Sequence, residues 1–111
     1  MLITIANEII LPPRIAANLA KVVRESRPDI ALEKLIKDYL DVKLEILAMK
    51  VENYRSKYSM SFEDFSRACS DGTLSNDPYS LEVEDDFRDW ESLKSLIAYY
   101  SELNKEWSTA E

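Results

Sequence analysis

Residues 29–58, DIALEKLIKDYLDVKLEILAMKVENYRSKY, decide the fold class. Leu32, Ile36, Tyr39, Leu40, Leu44, Leu47, Val51, Tyr54 and Tyr58 recur every three or four residues almost throughout, the signature of one apolar helix face. With Asp29 as N-cap the pattern predicts a helix of about 28 residues, roughly 40 Å long at ~1.5 Å per residue. A chain of 111 residues cannot readily cover so long a stripe with its own elements. Part of it is expected to lie against another chain.

On the N-terminal side, Leu2–Leu11 (LITIANEIIL) is rich in β-branched residues and ends abruptly at Pro12-Pro13, which predicts a strand. No second strand-like run exists to satisfy its backbone, so its mate is expected to be the same strand of a second copy or a partner's sheet edge. Ile3, Ile5 and Ile9, with Ile36 of the long helix, are the expected dimerisation residues. Pro12 and Pro13 suit a first helical turn. Ile15, Leu19, Val22 and Val23 then mark a short amphipathic helix to about Ser26, stopped by Arg27-Pro28.

On the C-terminal side, Ser61 with Asp64 resembles a capping box opening a short helix that carries Phe62, Phe65 and Cys69 and closes near Gly72. Residues 73–79 (TLSNDPY) form a polar linker. Ser80 caps a last helix with a stripe of Val83, Phe87, Trp90, Leu93 or Lys94, Ile97, Tyr100 and Trp107, and with acidic residues crowding its positive end. The expected architecture is mainly α: one N-terminal strand, then short, long, short and acidic C-terminal helices. It divides into a dimerisation part, residues 1–58, and an acidic aromatic arm, residues 59–111.

Composition agrees with helices. There is one glycine, and the four prolines fall at element boundaries. Hydrophobic residues make up 46% and charged residues 32%, ordinary for a folded chain. No run approaches the ~20 apolar residues of a membrane span, and the N-terminus lacks the layout of a secretory signal, so a cytoplasmic location is expected. Cys69 stands alone and is expected to behave as a small hydrophobe. The net charge of −7 is unevenly held: residues 1–58 carry ten Lys/Arg against eight Asp/Glu, a net of +2, whereas residues 59–111 carry four against thirteen, a net of −9. An acidic half suits a basic protein surface and does not suit nucleic acid.

The inventory speaks against catalysis. Histidine is absent, which removes the commonest general base, proton shuttle and metal ligand. A single glycine cannot build a phosphate-cradling loop. Glu82, Glu84, Asp85, Asp86 and Asp89 form the one dense carboxylate cluster, and their spacing lacks the alternation and central glycine of a calcium loop. No enzyme activity, cofactor or metal is expected. Binding residues are sought instead among aromatic anchors with acidic neighbours: Tyr58, Phe62, Phe65, Phe87, Trp90 and Trp107, with Asp85, Asp86, Asp89 and Glu91. The competing reading makes these aromatics the domain's own core.

Leu2–Leu11, ILPPRIAANLAKVV, Arg27-Pro28-Asp29 and IALEKLIKDYL together resemble the ribbon-helix-helix family over residues 2 to about 42. KYSMSFEDF and DDFRDWESL are similar to segments of small antitoxin-like proteins. The resemblance implies a homodimer formed through the paired strand, and an appended arm that wraps a toxin. The expected function is therefore an antitoxin-like binding protein that neutralises a basic partner, such as a ribonuclease, by steric and electrostatic occlusion. One alternative is a self-contained helical scaffold subunit. The other is a DNA-binding regulator acting through the strand, although that strand's outward residues Thr4, Ala6, Glu8 and Ile10 include no Lys or Arg to meet phosphate.

Overall fold

The computed structural model describes residues 10–109, which form four helices: α1 (Pro13–Val23), α2 (Pro28–Tyr58), α3 (Phe62–Asp71) and α4 (Leu81–Thr109). There is no strand among the described residues. This corrects the expected strand-plus-helices architecture and leaves the mainly α class standing. Leu2–Ile9 of the expected strand, with Ile3, Ile5 and Ile9, lie outside the described residues. Its last two residues, Ile10 and Leu11, lie in irregular backbone ahead of α1. The physical reason at Ile10 and Leu11 is that no second strand among the described residues pairs with their N–H and C=O groups.

Local chemistry explains the helix ends. Pro13 supplies the preset φ of a first helical residue, and the Ala16 N–H donates to the Pro12 carbonyl at 3.0 Å. α1 stops at Val23 rather than near Ser26 because Arg24 turns left-handed (φ 62°) and the Glu25 N–H caps the Ala20 carbonyl at 3.2 Å. Pro28 is the first residue of α2, not a terminator, and Asp29 sits inside the first turn, paired with Arg27 at 2.9 Å. α3 is capped at its start by Ser61, whose Oγ accepts from the Asp64 N–H at 3.1 Å, and at its end by Gly72, left-handed at φ 72°. Ser80 Oγ likewise accepts from the Val83 N–H at 3.2 Å at the start of α4.

The chain divides into two compact units, and both α2 and α4 contribute to each. The first holds the described residues up to Val42 together with those from Glu102 onward; the second is Lys43–Ser101. In the first unit Leu19, Ala31 and Leu40 are buried, and an open apolar groove between α1 and α2 is lined by Arg14, Ile15, Asn18, Leu19, Val22 and Leu35. Lys37 Nζ donates to Asn104 Oδ1 at 2.9 Å and pairs with Asp41 at 3.2 Å, and Asn104 Nδ2 also donates to Asp41, at 3.3 Å. The second unit has the larger core: Tyr58, Phe65, Leu74, Val83 and Trp90, flanked by Val51, Tyr54, Met60, Phe62, Ala68, Cys69 and Phe87. No described helix is long and apolar enough to cross a membrane.

Candidate protein-binding surface

The second unit is organised around Trp90, which α4 drives into the angle between α2 and α3. Its ring stacks on Tyr54 at 5.6 Å and on Tyr58 at 6.3 Å, meets Phe62 edge-on at 5.5 Å, and lies 5.2 Å from Phe65. Tyr58 and Phe65 approach to 4.4 Å, and Phe62 and Phe87 to 5.3 Å. Trp90 is 1% exposed and Phe65 0%. Ring pairs at such separations add roughly 0.5–1.5 kcal/mol each beyond their burial. The indole N–H of Trp90 has no hydrogen-bond partner among the described residues.

A polar seam closes the edge of this core. The Tyr54 hydroxyl donates to Asp89 Oδ2 and the Tyr58 hydroxyl to Asp86 Oδ2, both at 2.6 Å. Lys57 Nζ bridges Asp86 at 2.5 Å and Glu82 at 2.8 Å. Bonding to Asp89, followed by burial, pushes the Tyr54 phenol up to about 12. Burial first, then the bond to Asp86, pushes Tyr58 up as well, and Asp86 and then Glu82 raise Lys57. Lys94 reaches Glu63 of α3 and holds that carboxyl below the usual range, while desolvation raises the Cys69 thiol.

The expected binding residues therefore separate into groups. Tyr58, Phe65 and Trp90 are core side chains, and Phe62 and Phe87 are half-buried against them. Asp86 and Asp89 are occupied by tyrosine hydroxyls, and Asp85 by Arg88 at 3.2 Å. Glu91 is exposed. Trp107 is half-buried in the first unit, and Ile36 of α2 is partly exposed. No group of three or more His, Cys, Asp or Glu among the described residues is arranged to hold a metal ion.

What the second unit presents outward is the start of α4. An open cleft of about 350 Å³ is lined by Cys69, Pro78, Val83, Glu84, Phe87, Arg88 and Glu91. Between the lining residues Pro78 and Val83 in sequence stand Tyr79, 84% exposed, and Leu81, 72% exposed. Leu81, Glu84 and Asp85 share one helix face by their spacing of three and four. Among the described residues Glu84 and Glu91 enter no ion pair. Tyr79 and Leu81 escaped the reading of the sequence because they fall outside the Val83-Phe87-Trp90 stripe. That misfit is itself the signal that could have found them.

Comparison with protein-family models, with curated proteins and with solved structures returns no match.

Proposed function

We propose that the chain is a non-catalytic binding protein that holds a basic partner protein against the outer face of α4's first turns, in the manner of an antitoxin occluding a toxin. The observation that carries this reading is the pair of solvent-facing apolar residues, Tyr79 and Leu81, close in sequence to Glu84; Glu84 and Glu91 line the open cleft and enter no ion pair among the described residues. Apolar anchors supply affinity once desolvated, whereas carboxylates at the rim steer a basic surface into place and reject acidic ones. Asp85 and Phe87 would join the contact at its edge, and Tyr58, Phe65 and Trp90 would support it from beneath. The proposal places the protein in the cytoplasm, where the single thiol stays reduced.

Truncating residues 80–111 would remove Val83 and Trp90 from the core, so surface changes make the cleaner test. Wild-type and Glu84→Lys/Glu91→Lys baits are compared in pull-downs from the native cell. A basic protein retained by the wild type, and lost from the variant or on raising the salt, is the expected outcome. Equal retention by both baits contradicts the reading.

A second reading, a self-contained scaffold subunit, draws support from the burial of Tyr58, Phe65 and Trp90. Under that reading the charge-reversed variant would behave as the wild type in every association assay.

A further inference from the structure

α2 carries apolar residues on two faces. One packs inward through Leu40, Leu47 and Tyr58. The other, Leu35, Tyr39, Val42, Ile46 and Met49, stands in solvent, from 41% exposed at Leu35 to 66% at Met49. Their spacing of four, three, four and three is that of alternating d and a positions in a heptad repeat. Extended by half-buried Leu32 and by Asn53, the pattern covers three heptads on one unbroken helix.

The residues flanking this seam state what should cover it. The g positions are Asp38, Glu45 and Glu52; the e positions are Ile36, Lys43, Lys50 and Lys57. When two copies of such a helix lie parallel, each g residue faces the e residue five positions on in its neighbour, which sets Asp38 against Lys43, Glu45 against Lys50, and Glu52 against Lys57. In an antiparallel pair g faces g and e faces e, so carboxylates meet carboxylates and ammoniums meet ammoniums. Lys57 and Glu52 also hold intrachain partners, and Lys43 lies over the Tyr100 ring, whereas Asp38, Glu45 and Lys50 form no ion pair among the described residues. Asn53 at an a position favours two strands.

From this complementarity we infer that the outer face of α2 binds a second copy of the chain as a parallel two-stranded coiled coil. This surface is distinct from the one proposed for the basic partner and does not depend on it. A two-fold pairing places the same stripe on both sides of the contact, so each exposed apolar side chain meets its equivalent in the other copy.

Sedimentation velocity over a concentration series, with circular dichroism as the check on folding, tests the proposal on the full chain. The wild type should sediment as a dimer. Ile46→Asp, which sets a charge at an already exposed position, should weaken association at least about 100-fold with helix content unchanged. Glu45→Lys should also weaken it, and Glu45→Lys combined with Lys50→Glu should restore it. Orientation is read in a Cys69→Ser background: L35C and M49C should each cross-link to themselves through a short bis-maleimide. A wild type that stays monomeric overturns the inference. So does cross-linking seen only when L35C and M49C chains are mixed, which marks an antiparallel pair, and so does a dimer indifferent to Ile46→Asp.

Discussion

Tyr54 and Tyr58 each turn a ring into the core and a hydroxyl to a carboxylate, and the pairing gives the second unit a measurable pH dependence. The Tyr54 phenol is raised from 10 to about 12, chiefly by its bond to Asp89. A folded value above the unfolded one means that the folded state holds the proton more tightly. The stabilisation is therefore complete below pH 10 and is lost as pH climbs towards 12. Tyr54→Phe should cost about 1 kcal/mol at neutral pH and flatten the alkaline limb of the stability curve in that window, checked by urea denaturation at a series of pH values together with phenolate absorbance. Trp90, at the centre of the same cluster, has no partner for its indole N–H among the described residues, and its ring packs against Tyr54, Tyr58, Phe62 and Phe65. None of these long-range bonds was legible in the sequence. Asp86 and Asp89 look like solvated acid on a helix, and nothing local announces tyrosines 28 and 35 residues away.

At the scale of the element, the helix boundaries were the most legible feature because their causes are local. Ser61, Gly72, Ser80 and Pro13 cap or open the helices expected of them, since each acts on backbone groups within a few residues. Ser61→Ala should destabilise the chain by about 1 kcal/mol, read as a lower denaturant midpoint with an unchanged slope; an unaltered midpoint would mean that the Asp64 N–H finds water as good a partner. Arg24 was not legible as a stop, because a left-handed arginine has no compositional mark. α2 shows a subtler failure. Following one stripe along it merged Tyr39, which faces solvent, with Leu40 and Leu47, which do not, since apolar residues on two faces blur the helical period. On α4 the stripe of Val83, Phe87, Trp90 and Ile97 faces inward as expected, and the choice between Leu93 and Lys94 falls to Leu93, which is buried, while Lys94 reaches Glu63.

For the whole molecule, the asymmetry of charge pointed to a binding surface; the proposed one keeps Asp85, Phe87 and Glu91 from the expected residues and adds Tyr79, Leu81 and Glu84. The largest fully buried side chains, Trp90 and Phe65, are consumed in building the second unit. Tyr79 and Leu81 remain exposed, and the proposed surface rests on them. No account of composition distinguishes an aromatic that forms a core from one that faces outward; that decision is made by which helices meet. The most direct test is photo-cross-linking from a benzophenone amino acid placed at Tyr79, in cells that make the natural partner. The expected result is an adduct with a basic protein, absent when Glu84→Lys and Glu91→Lys are added. No adduct from that position, or one that survives both charge reversals, would contradict it.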